Sequence, residues 1–229
     1  VNVAVLVPFR GGEAHRDRNW VWLHDRWKGL GLEVIVGTTD VDGFSRTQAI
    51  LDARSRSDAD VLVVTDADVW CEDLGVAAAQ RAGWAAPGML HRLSPASTDQ
   101  VLAGEDWRGL PLSTDNRQDA KPYQVHAAGT FLTLTAEAFD LAPPDPRFVG
   151  WGQEDDAWSA ALRTLVGPPA RTGADVVHLW HPPEPRSSRV TGNRANKALA
   201  RRYHNARRST DLMHTLIAEA RTPQEATNG

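Results

Sequence analysis

The sequence predicts an α/β protein: a mostly parallel central sheet with helices on both faces, folded as a single domain. Three observations carry that prediction. Short continuous apolar runs at residues 3–7, 34–36 and 61–64 lack the polar–apolar alternation of a strand with one wet face, so they read as strands buried on both sides. Helical patterns separate them, and three strand–helix units in about 80 residues imply parallel pairing. The chain has 229 residues, 41% apolar and 24% charged, which suits one domain with its own core and excludes a disordered or fibrous protein.

The elements follow in order. Pro8 ends the first run. A helical stretch then places Trp20, Leu23, Trp27 and Leu30 on one face and is closed by Gly29 and Gly31. After the second run, Ser45 caps a helix through Ala49, Ile50 and Ala53. The third run stops abruptly at Thr65-Asp66-Ala67-Asp68. The alternation then ceases, and residues 94–122, rich in Ser, Asp, Gly and Pro, read as one long loop. A strand at 130–135, a helix from near Glu154, a strand at 175–179 and a last helix at about 193–208 complete the pattern. The residues from Thr222 read as a frayed tail.

Cys71 is the only cysteine, which excludes a disulfide framework and a Cys-based zinc site, and its place after a buried run suggests a small core residue. No apolar run approaches the ~20 residues a membrane span requires, and a basic-then-apolar leader pattern is missing, so a soluble, cytoplasmic protein is expected. Net charge is −4, yet residues 186–208 hold seven Arg, one Lys and no acid. A negatively charged partner group should therefore be sought near that segment.

In parallel sheets, ligands sit beyond the carboxyl ends of the strands, where Pro8-Phe9-Arg10 and Asp66-Ala67-Asp68 both fall. Asp66 and Asp68 put like charges close together, which is costly unless a cation or donor groups intervene; oxygen ligands of this kind suit Mg²⁺ or Mn²⁺. A polar turn after a strand is the plain alternative. His178 and His181, three apart at the end of a later strand, offer imidazoles to complete a coordination sphere, or are one core and one turn histidine. The run Gly150-Trp151-Gly152-Gln153-Glu154-Asp155-Asp156 is the strongest signal. Acids suit a helix start, but that leaves Gly-Trp-Gly unexplained. Flanking glycines allow a sharp turn that exposes an indole on which a sugar can stack, beside carboxylates able to take a hydroxyl proton.

Taken together, in this order, the motifs resemble the catalytic module of β-1,4-galactosyltransferases and related bacterial and phage glycosyltransferases of the GT-A fold. The resemblance implies that Pro8, Phe9 and Arg10, with Phe44 and Arg46, hold a nucleotide; that Asp66 lies near the nucleotide sugar; and that Asp68 binds Mn²⁺ (or Mg²⁺) with His181 and His178. It implies that Gly129 faces the donor, that Trp151, Glu154 and Asp156 meet the acceptor, and that Asp155, beside Glu154, is the general base. Gly11 and Gly12 replace the Asn-Arg that follows the first motif in the family. Residues 1–93 would form the nucleotide-sugar half and 123–208 the acceptor and catalytic half of one domain spanning 1–208, with 209–229 a helix end and tail. The implied activity is inverting transfer of a hexose from a nucleotide sugar, UDP-linked by resemblance, to an acceptor hydroxyl.

The acceptor is open between saccharide, lipid-linked, protein and DNA classes. A helix over 193–208 would place Arg194, Lys197, Arg201 and Arg208 on one face, opposite Ala195, Leu199, Tyr203 and Ala206. Such a stripe is either a solvated side or a surface for a polyanion, such as DNA bearing hydroxymethylated bases. Two other readings stand beside transfer: a domain that binds nucleotide sugars or glycans without transferring them, and a sugar nucleotidyltransferase, for which Arg10-Gly11-Gly12 is a thin phosphate loop.

Overall fold

A computed structural model describes residues 1–39, 43–113, 129–150, 152–182 and 193–222. The apolar runs form β1 (Val3–Pro8), β2 (Glu33–Gly37) and β3 (Val61–Thr65), with α1 (Ala14–Gly29) and α2 (Arg46–Ser55) between them. The sheet continues through β7 (Phe131–Thr135), β5 (Trp84–Ala86) and β8 (Ala170–Arg171), in the order β2-β1-β3-β7-β5-β8. β1 runs parallel to β2 and β3, with Val5 opposite Val34 and Val63, while β7 is antiparallel to β3 and β5.

Successive β1 residues explain the unbroken apolar pattern. Ala4 and Leu6 point into a core with Ile50, Ala53, Phe139 and Trp158, whereas Val5 and Val7 point into another with Leu23, Trp27, Trp70 and Val177. Both faces are dry, so neither needs polar residues. The first core is roofed by α2, α5 (Ala136–Leu141), α6 (Glu154–Leu165) and α7 (Asn193–Ala206). The second is covered by α1 and by a three-stranded sheet, β4-β9-β6, made of β4 (Val69–Cys71), β9 (Asp175–His178) and β6 (Met89–Arg92). None of the described helices is long and apolar enough to cross a membrane.

Ser45 caps α2 as expected, accepting from Gln48 N. Four local expectations change. Residues 95–102, read as loop, form α4 (Pro95–Leu102), capped by Ser94, which accepts from Ser97 N; Ser followed by Pro is the start signal that the polar composition obscured. Leu30 is 61% exposed at the end of α1, and Asn19 takes the buried place on that helix. On α7 the buried side is Asn196, Ala200 and Tyr203, and Ala195 is exposed. Finally, the residues after Arg208, read as a helix end and tail, turn first, and Ser209 caps a separate helix, α8 (Thr210–Arg221), whose Met213, Leu216 and Ile217 are buried.

Candidate active site

A cleft of about 920 Å³ opens beyond the carboxyl ends of β1 and β3. Pro8, Phe9 and Arg10 line it as β1 ends, and Phe44 and Arg46 line it at the start of α2. The two segments meet: the Arg10 guanidinium carbon lies 5.9 Å from the centre of the Phe44 ring. Phe9 is anchored by its N–H donating to Gly37 O at 3.2 Å and by its ring against Trp20.

Asp66 and Asp68 follow β3 and have separate partners. Arg46 Nε donates to Asp66 Oδ1 at 2.9 Å. Asp68, 5% exposed, faces the two histidines instead. Pairing of β4 with β9 sets Val69 opposite His178, and Leu179 N donates to Asp68 O at 2.8 Å, which brings the later strand to the acid. His178 Nε2 lies 3.8 Å from Asp68 Oδ1, and His181 Nε2 lies 3.3 Å from Asp68 Oδ2. One ligand atom from each of the three residues lies within 4.8 Å of the others. Burial, with Arg92 and His181 nearby, pushes the His178 pKa down to about 3, so this imidazole is neutral and keeps a lone pair for a cation. The turn carrying His181 is pinned from two helices, by Asn19 Nδ2 donating to Trp180 O and Trp180 N donating to Thr98 Oγ1.

On the opposite wall, Gly150 and Gly152 adopt φ of 73° and 102°, as a sharp turn requires, and Gln153 follows at φ 78°. Left-handed backbone at a non-glycine costs roughly 1–2 kcal/mol. It delivers Glu154 directly into the cleft as the first residue of α6. Trp151 lies outside the described residues. Glu154 is 8% exposed, and its Oε2 has no hydrogen-bond partner among the described residues. Burial, reinforced by neighbouring Asp155, pushes its pKa up to about 8. Asp155 is also raised by burial, against the pull of Arg46. Arg46 links both walls. Burial opposes its charge, but Asp66, Asp155 and Glu154 together hold it firmly protonated.

Gly129 sits against Asp155, the space for its missing side chain being taken by that carboxylate. Asp155 and Asp156 are not among the residues lining the cleft. Several lining residues escaped the sequence reading, among them Arg16, Arg147 and Asn196. Asn196, 2% exposed, donates from Nδ2 to Val149 O and Gly152 O and thus clamps the Trp151 turn from α7. The helix carries Asn at 193, 196 and 205, so its sequence does not single out Asn196. Arg147 is held by Asp145, which also accepts from Tyr203, and by Glu219 of α8.

No family model matches the sequence, and no curated protein does. Solved structures do. The catalytic domain of Drosophila β-1,4-galactosyltransferase 7, as a mutant in complex with manganese, UDP-Gal and xylobiose, superposes with a TM-score of 0.55 at 18% identity, over 88% of this chain and 80% of that one. The same domain in complex with xylobiose gives 0.51, again at 18% identity and with the same coverage. The fold is that of a GT-A glycosyltransferase catalytic module. Glucosyl-3-phosphoglycerate synthase from Mycobacterium tuberculosis, with Mg²⁺ and UDP, is more distant, at 0.48 and 12% identity over 90% of this chain and 79% of that one.

Proposed function

We propose that the protein is a metal-dependent glycosyltransferase that moves a hexose from a UDP-sugar to an acceptor hydroxyl with inversion of configuration. The observation that carries this reading is the meeting, in one cleft, of Asp68, His178 and His181 with Glu154 and Arg46, Asp155 interacting with both of the last two. The galactosyltransferase of the same fold has been captured with manganese, UDP-Gal and xylobiose, in keeping with that division of labour.

The donor set fits a divalent cation: one carboxylate and two imidazoles, of which His178 is neutral by burial. Two nitrogen ligands favour a transition ion such as Mn²⁺ over Mg²⁺, which prefers oxygen and water. Asp68, His181 and His178 would hold it, and its charge would stabilise a departing diphosphate. Arg10 over Phe44 suits the nucleotide end, a guanidinium and a ring together offering charge and a stacking surface. Asp66, fixed by Arg46, is placed to receive sugar hydroxyls. Protonated Glu154 can donate to the acceptor and hold it, while neighbouring Asp155 takes the hydroxyl proton as that oxygen attacks the anomeric carbon from the face opposite the diphosphate. A binding module has no need of a buried acid pair beside a cation site.

For the acceptor, a saccharide hydroxyl is the first choice. A polyanionic acceptor such as DNA is kept as a second reading because Arg194, Lys197, Arg201 and Arg208 are exposed, and Arg194 adjoins Ala195 at the cleft. Transfer from radiolabelled UDP-hexoses, with Mn²⁺, to saccharides and to duplex DNA tests both. Transfer to DNA that falls steeply with salt favours the basic face; transfer to saccharides indifferent to salt removes it; formation of UTP and hexose 1-phosphate on adding pyrophosphate, instead of release of UDP, would point to nucleotidyl transfer.

A further inference from the structure

Asn196 does more than clamp a turn. It stands in the first turn of α7, is 2% exposed, and lines the cleft beside Ala195. Its Nδ2 carries two hydrogens, and both are committed, to Val149 O at 3.0 Å and to Gly152 O at 3.1 Å. Two carbonyls on the same side of the amide fix which way it points, because an exchanged Oδ1 would face two oxygens and bond to neither. Oδ1 accepts no hydrogen bond from the described residues, and, unlike Asn19 Oδ1, it is not sealed away from solvent. It is the end of the amide left to the cleft.

Glu154 enters the same cleft two residues after Gly152. One short turn therefore carries both groups, Glu154 through the chain and Asn196 through its bond to Gly152 O. An amide oxygen can only accept, so the group it reads on a ligand must be a donor. A single hydroxyl, such as that of a serine or threonine side chain, is used up where it reacts. A sugar ring brings a second hydroxyl at a fixed spacing from the first.

We infer that Asn196 is a specificity-determining residue that selects, as acceptor, a saccharide with a free hydroxyl beside the one attacked: Glu154 meets the first hydroxyl and Asn196 Oδ1 accepts from the second. The inference rests on the transferase reading above and adds to it the residue that reads the acceptor. A ligand without the second hydroxyl shuts an unpaired oxygen into the cleft wall, which discriminates more sharply than the loss of an apolar contact.

The full chain, loaded with Mn²⁺ and UDP so that no turnover occurs, is titrated by calorimetry with the methyl β-glycosides of xylose, glucose, galactose and N-acetylglucosamine. Each monodeoxy derivative of the tightest-binding glycoside follows. On the wild type, the derivative lacking the hydroxyl read by Asn196 should bind about 10- to 100-fold more weakly than its parent. Asn196→Ala should lose that distinction while keeping the losses for the other hydroxyls and its affinity for UDP. Asn196→Asp, which gives up the clamp but keeps an accepting oxygen, should keep the distinction. A wild type indifferent to every deletion, or Ala and Asp variants that behave alike, overturns the inference and leaves Asn196 a clamp alone. Loaded wild-type protein that binds none of the four glycosides also overturns it, with the donor reading intact. Protein that binds neither Mn²⁺ nor UDP overturns the transferase reading, and the inference with it.

Discussion

A Cβ added to Gly129 would stand 2.5 Å from Oδ2 of Asp155 and 3.3 Å from its Cγ, so glycine at the entry to β7 makes room for the carboxylate at the start of α6. Gly129→Ala must displace Asp155 or the backbone before β7. The expected outcome is loss of most transfer activity, with Mn²⁺-dependent UDP binding retained. Overpacking of this kind costs about 1–3 kcal/mol, so the melting temperature should fall modestly; equal activity in the variant would show that Asp155 can move without consequence.

Asp155→Asn keeps the shape and removes the proposed base. Donor binding by calorimetry should stay within about two-fold of wild type while transfer drops by at least the 10²–10⁴-fold that general base catalysis supplies. A variant that loses donor affinity instead would place Asp155 on the donor side.

Glu154 sets a pH dependence of stability. Its folded pKa is pushed up to about 8 from an ordinary 4.5, so between those values the folded protein binds more protons than the unfolded chain, and stability falls as pH rises through that window. Glu154→Gln should flatten the decline of melting temperature between pH 5 and 8. Its melting curves should be compared with those of the wild type at each pH; an unchanged slope would mean that the buried acid is not the source.

Asn196 ties α7 to the Trp151 turn through two carbonyls. Asn196→Ala should cost about 1–3 kcal/mol by leaving those acceptors unpaired. Its effect on transfer should exceed its effect on Mn²⁺ binding, because the turn it clamps carries Glu154 and not the cation ligands. Parallel measurement of kcat and of Mn²⁺ affinity separates the two.

Much of this arrangement was readable from local chemistry. Strands β1 to β3 showed as apolar runs because both their faces are dry, and the Ser45 cap showed because its partner is three residues away. Asp68, His178 and His181 were nominated separately, and the β4–β9 pairing then brings them together. Of that second sheet only β9 was legible, as the run at 175–179; β4 and β6 are three and four residues long, and Val69 pairs with His178 far along the chain. The role of Arg46 was likewise hidden. A nucleotide contact was expected from its motif, whereas its engagement with Asp66, Glu154 and Asp155 depends on three segments meeting. Helix α8 does carry a local signal, the Ser209 cap followed by Met213, Leu216 and Ile217 at i, i+3 and i+4.

The most direct test of the cation-dependent donor site is a thermal-shift series on the wild type and Asp68→Ala, with UDP and UDP-hexoses, each with and without Mn²⁺. The account predicts that Mn²⁺ and UDP together raise the wild-type melting temperature by several degrees, that UDP alone does little, and that Asp68→Ala loses the joint effect while folding normally. Equal stabilisation by UDP with and without Mn²⁺, or a joint effect that persists in Asp68→Ala, would contradict it.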